Sequence, residues 1–202
     1  MGKTKFVEYG HSNWRLGDLP HGFWAFDVAL DVFLKHLIDA AEASGQADTP
    51  WLSDEILSWR YACVPDYGLT FETDWSEQQR QTFLALAEKA CTKLAARVSI
   101  PAEEIVSWEI LEGVRLYTRG DAEVLTAPVA ELGRAIIALV SGELPEAPQG
   151  ELWFYGLPEG RQSLKMDMQI LAARGNGTGV PQPRGIFSLL STVREFLRRF
   201  QR

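Results

Sequence analysis

Residues 22–44 read GFWAFDVALDVFLKHLIDAAEAS. Polar side chains return at Asp27, Asp31, Lys35, Asp39 and Glu42, close to every fourth position, and almost everything between them is apolar. On a helix those positions form one narrow stripe, and a helix apolar around the rest of its circumference must be covered on more than one side. The pattern predicts the central helix of a globular core. Lys35 continues the acidic stripe one turn after Asp31, so the two read as an ion pair on a solvated helix face.

The flanking pattern supplies the elements that cover this helix. Residues 3–9 form a strand, and residues 10–21 a polar loop studded with aromatics. Thr49 and Pro50 stand as cap and first residue of a second helix, with Leu52, Ile56, Trp59 and Cys63 at helical spacing. Residues 67–73 (YGLTFET) read as a strand by their aromatic and β-branched content. Asp74 and Glu77 have the spacing of a capping box opening a third helix, which carries Phe83, Ala87, Ala90, Leu94 and Val98 on one face. Residues 100–104 make a short helical turn, and residues 108–118 a strand interrupted at Gly113, where a bulge is expected. A further helix spans residues 126–141 and stops at Gly142.

After a proline-containing linker at 144–150, the turn residues Pro158 and Gly160 predict a hairpin of residues 151–156 and 161–170. Leu164, Met166, Met168 and Ile170 alternate with polar residues, which gives that strand one buried and one wet face. A flexible Gly/Pro loop at 174–185 then leads into an amphipathic helix at 186–200. Helices and strands are mixed without strict βα alternation, and no repeat is visible. The expected fold is α+β, with a mainly antiparallel sheet and a C-terminal hairpin, covered by several helices around the buried central helix.

Composition adds bounds to this picture. The chain has 202 residues, 46% of them hydrophobic and 23% charged, which suits one globular domain spanning 1–202 that needs neither metal nor disulfide to hold it. Its N-terminus lacks the apolar core of a signal peptide, and Phe6 stands where a myristoylation motif needs Ser or Thr. No stretch is long and apolar enough to span a bilayer. The two cysteines, Cys63 and Cys91, read as buried thiols in a reducing compartment, so a soluble, cytoplasmic protein is expected.

Charge changes the picture more. Arg174, Arg184, Arg194, Arg198, Arg199 and Arg202 against Glu195 give residues 169–202 a net +5, and since the chain totals −7, residues 1–168 carry −12. An acidic body disfavours nucleic acid across the main surface. The Arg-rich last helix reads as lying on that body.

Motifs of known chemistry are scarce. The loop Gly175-Asn-Gly-Thr-Gly179 has alternating glycines, but Val180-Pro181-Gln182-Pro183 follows where a phosphate site would open a helix, so it reads as a loop. His11, His21 and His36 lack the spacing of a metal site, and neither a metal nor a cofactor is expected. No nucleophile motif is present. Seven tryptophans remain to be explained. Trp24, Trp59 and Trp108 read as core. Trp14, Trp51 and Trp75 lie in loops or first helical turns among acids such as Asp18, Asp48, Asp54, Glu55, Asp74 and Glu77, a combination suited to cationic groups.

These features favour a non-enzymatic acidic interaction module, of inhibitor or immunity type, with Trp14, Trp51, Asp54, Glu55 and Trp75 facing a basic protein partner. The alternative is a small enzyme or small-molecule-binding protein with a non-contiguous site near His21, Asp27 and Arg60. Oligomeric state is left open by the sequence.

Overall fold

The computed structural model describes residues 4–10, 21–65 and 67–165. In chain order the first elements are β1 (Thr4–Tyr9), β2 (Gly22–Phe26), α1 (Asp27–Glu42), α2 (Pro50–Ala62), β3 (Leu69–Phe71) and α3 (Glu77–Ala95). They are followed by β4 (Ser99–Pro101), α4 (Ala102–Ser107), β5 (Glu109–Leu111), β6 (Val114–Arg115) and β7 (Glu123–Leu125). Last come α5 (Thr126–Ser141), β8 (Glu151–Tyr155) and β9 (Gln162–Lys165).

The expected 22–44 helix is two elements. Its first five residues, GFWAF, are strand β2, which pairs antiparallel with β1 so that Val7 faces Phe23 and Phe6 faces Trp24. An apolar run of this length carries no decisive period, and pairing across the sheet decides it. Gly22 is required there, because a Cβ would come within 2.2 Å of the Val7 carbonyl oxygen. The chain turns directly from strand into helix at Phe26, whose extended backbone precedes Asp27.

The main sheet has the order β3-β1-β2-β8-β9. β3 lies parallel to β1 and β8 parallel to β2, whereas β9 returns antiparallel beside β8. Two small antiparallel ribbons, β4–β7 and β5–β6, complete the strands among the described residues. The fold is therefore α+β, its main sheet mixed and antiparallel pairing predominant when the ribbons are included. The predicted hairpin forms with the 157–160 turn closed by the Gly160 amide on the Leu157 carbonyl (2.9 Å). Leu164 is exposed in it, not on a buried face. The other residues of that alternation, the 174–185 loop and the 186–200 helix lie outside the described residues.

α1 is the centre of the core. It packs on α2, α3, α5 and the sheet, and Leu30, Phe33, Leu34 and Leu37 are shut off from solvent. Fully burying side chains of this size stabilises by roughly 1.5–3 kcal/mol each, and truncating one also opens a cavity. Close packing of α1, α3 and α5 depends on Gly133 of α5. A Cβ there would stand 2.5 Å from the Phe33 ring and 2.6 Å from the Cys91 sulfur.

Other boundaries follow the expected chemistry with local changes. α3 is capped by Ser76 and Gln79 in a reciprocal capping box, two residues beyond the expected Asp74 and Glu77. Thr49 does precede α2 with Pro50 at its start, but its hydroxyl donates back to the Gln46 carbonyl and does not cap. Gly113, at φ 73°, turns the 108–118 segment back on itself as the β5–β6 ribbon, and the register irregularity of that ribbon falls between Glu109 and Leu111, not at the glycine. α5 ends as expected at Gly142, in the left-handed conformation at φ 75°.

Candidate functional site

Two groupings of acids can be built from these elements. The first begins on α2, whose initial turns present Trp51, Asp54 and Glu55. The β3–α3 connection brings Trp75 against them. The Trp51 and Trp75 rings meet edge to face at 5.6 Å, and the Trp75 indole N–H donates to Glu55 Oε1 at 3.1 Å. Behind this pair Trp75 contacts Phe71 and Phe83, and Phe83 in turn contacts Trp59, so the surface rings continue into the core. The edge-to-face geometry sets the positive rim of one ring on the negative face of the other.

Trp51, Glu55 and Trp75 are half-buried, and Asp54 and Asp74 are exposed. Burial pushes the Glu55 carboxyl up to about 7; the Trp75 hydrogen bond opposes this, while the charges of Glu72, Asp54 and Asp74 reinforce it. A carboxylate in this setting gains from any cation brought to it, since a cation relieves both the desolvation and the repulsion. The Trp51 indole nitrogen is buried and has no hydrogen-bond partner. Of the residues expected at a binding face, Trp51, Asp54, Glu55 and Trp75 are thus gathered, and Trp14 lies outside the described residues.

The second grouping lies on the N-terminal half of α1 and overturns the expectation of a solvated stripe. Asp27 and Asp31 are 0% and 1% exposed. Lys5, itself 4% exposed, reaches from β1 to Asp31 Oδ1 at 2.6 Å and to the Ala62 carbonyl at 2.7 Å. Asp31 Oδ2 has no partner, and burial raises the Asp31 carboxyl to about 7 despite Lys5. Asp27 accepts from the Val28 amide, from the Tyr117 hydroxyl at 2.9 Å and from the Arg119 guanidinium. Burial, reinforced by the adjacent Asp27 carboxylate, raises the Tyr117 hydroxyl to about 12, so it stays a donor. Lys35 pairs not with Asp31 but with Asp39, a turn further on, where the helix emerges toward solvent.

Lys5, Tyr117 and Arg119 were not signalled as site residues by the sequence. One hint exists for Lys5: on a strand it shares a face with Val7, and a lysine on an inward face requires a buried partner. Nothing local marks Tyr117 or Arg119, which lie 90 and 92 residues from Asp27.

His21, Asp27 and Arg60 are not brought together. His21 is exposed beside the Tyr9 ring. Arg60 binds the Ile110 carbonyl and Glu42, the last residue of α1, roughly 20 Å along the helix from Asp27. His36 is buried, bonded through Nδ1 to the Val32 carbonyl and packed on Trp108, and burial lowers its basicity.

Trp59 is wholly buried and Trp108 is half-buried against the core, whereas Trp24 is half-buried beside the Phe6 ring. Cys63 and Cys91 are buried free thiols whose ionisation burial opposes, which leaves them poor nucleophiles. Among the described residues no three His, Cys, Asp or Glu side chains gather as a metal would need, and no helix is long and apolar enough to cross a membrane. An open groove of about 260 Å³ between Ser44, Gln46 and the Gln78–Gln81–Lys89 side of α3 is lined by both polar and apolar groups, Ala85 and Leu86 among them. No known protein family matches the chain, and no curated protein or solved structure gives a significant match.

Proposed function

We propose that this chain is a non-enzymatic interaction module that holds a basic protein partner against the face formed by Trp51, Asp54, Glu55, Glu72, Asp74 and Trp75. One observation carries the reading. Glu55 is half-buried, takes a neutral indole donor, and has three acids among the charges acting on it. A lysine or arginine placed over the Trp51–Trp75 pair gains cation–π attraction and meets these carboxylates at once. The acidic balance of residues 1–168 steers a basic partner toward the molecule over a longer range. A cytoplasmic setting accords with the two free, buried thiols.

The test is calorimetric titration with a lysine- and arginine-rich peptide at about 50 and 300 mM salt, using the parent protein, Trp51→Ala and Glu55→Gln. The expected result is binding that weakens with salt and falls about tenfold in each variant, which corresponds to about 1.4 kcal/mol. Binding that is unchanged in both variants sinks the assignment to this face. Affinity capture from the native host that retains no protein, with a metabolite that raises the melting temperature, sinks the interaction reading as a whole.

A further inference from the structure

Asp27 is a buried carboxylate whose counter-ion comes from the surface. Its side chain is 1% exposed, while that of Arg119 keeps 26% of its surface in water. The guanidinium lies across both carboxylate oxygens, with Nε 3.1 Å from Oδ1 and 3.2 Å from Oδ2 and a terminal nitrogen on Oδ2. The Tyr117 hydroxyl donates to the same Oδ2. This is the planar, forked arrangement that guanidinium groups make and ammonium groups do not.

The segment that delivers these two side chains has no strand or helix of its own between β6 and β7. Leu116 is tied at one end by its amide to the Trp108 carbonyl, and Ala122 at the other by its carbonyl to the Ala102 amide. Leu116 and Thr118 are themselves buried, whereas the turn that follows, closed by the mutual bonds of Thr118 and Asp121, leaves residues 119–121 exposed. Arg119 sits at the tip of that turn at φ 57°, the one described residue other than glycine with positive φ. Its left-handed backbone is unfavourable for a residue with a Cβ, so the ion pair works against backbone strain. One turn along α1, within reach of the Arg119 charge, Asp31 keeps a buried oxygen without a partner.

We propose that the turn tip, residues 119–121, is a displaceable latch, and that Arg119 occupies in cis a guanidinium site formed by Asp27 and the Tyr117 hydroxyl, which stays in place between the buried Leu116 and Thr118. Opening the latch alone strips a buried carboxylate of its cation, which is strongly disfavoured. Opening it while another guanidinium enters exchanges like for like and relieves the strain at Arg119. The ligand class is therefore an arginine side chain of a partner, and its own charge is the key that releases the latch. This inference is independent of the tryptophan face, because it rests on a different carboxylate.

The test uses the full chain and methylguanidinium as probe. Arg119→Ala is expected to melt below the parent, and millimolar methylguanidinium to restore the loss saturably. Methylammonium is expected to do so about tenfold less well, and the Arg119→Ala/Asp27→Asn double variant not at all. In the unaltered protein, arginine amide is expected to speed hydrogen exchange of the Asp121 amide, which bonds to the Thr118 carbonyl across the turn, several-fold while the Leu116 amide and α1 stay protected. Exchange unchanged by arginine amide overturns the displaceable latch. Rescue that is absent, or equal in the double variant, overturns the guanidinium site; Arg119→Gln replaces Arg119→Ala if the latter does not fold, and the exchange measurement needs no variant.

Discussion

Asp31 and Glu55 have the same displaced carboxyl and opposite surroundings. Burial brings each to about 7. Around Asp31 the protein itself supplies a cation, Lys5, from the neighbouring strand, and both charges are sealed inside. Around Glu55 it supplies a neutral indole N–H and more acids, at a half-exposed position. A carboxylate meant to hold a fold together is provided with its counter-ion within the chain. One left among other acids stores unfavourable charge that an external cation can relieve. That difference, more than the number of acids, separates the internal cluster from the proposed binding face.

The comparison is broken most forcefully at Lys5. Lys5→Met leaves Asp31 buried without its cation and is expected to cost about 3–5 kcal/mol in urea unfolding, more at pH 8 than at pH 6 because a protonated Asp31 tolerates an apolar site better. A Lys5→Met/Asp31→Leu double variant recovers most of that stability, since replacing both charges removes the stranded group. Near-parent stability of Lys5→Met at pH 8 would contradict an internal ion pair.

The next effect is expected at Glu55. Its carboxyl is raised above its ordinary value, so the stability it contributes is fully present below about pH 4.5 and is lost as pH rises through about 7. Glu55→Gln keeps an acceptor for the Trp75 N–H and removes the charge. Its stability should exceed the parent's by on the order of 1–2 kcal/mol at pH 8 and match it near pH 4. Parallel stability curves for parent and variant across this range would show that Glu55 carries no such load.

Lys35 marks the small end of the scale. Its pair with Asp39 lies four residues apart on a partly exposed helix face. Lys35→Ala is expected to change stability by no more than about 0.5 kcal/mol, an effect that fades in high salt. A loss comparable to that of Lys5→Met would erase the distinction between buried and emerging halves of the α1 stripe.

Much of the fold was legible because it depends on local chemistry. Pro50, Gly142 and the Pro158–Gly160 turn mark boundaries by their own backbone preferences, and α5 matches the span read from its apolar stripe. What escaped was set across the chain. GFWAF reads as helix until β1 and β8 pair with it on either side. Asp27 and Asp31 looked solvated because the only nearby cation in sequence was Lys35, whereas their partners lie 92 and 26 residues away. The tryptophan face was legible in part: Trp51, Asp54 and Glu55 share one helical turn, but only the tertiary fold brings Trp75 and Glu72 to them.

The sheet order has a consequence for how the chain comes to be folded. β2 needs a strand on each side, and its second neighbour is β8, with Trp24 opposite Phe154. As the polypeptide leaves the ribosome, β1, β2 and α1 to α5 emerge before that partner exists. During this interval the open edge of an aromatic strand can template pairing with another chain, which is the physical origin of many aggregating intermediates. Closure across such a sequence separation is also slow relative to local helix formation. Chains truncated before residue 151 keep that edge open permanently, and their fate is set by association between molecules, not by the stability of the helical core.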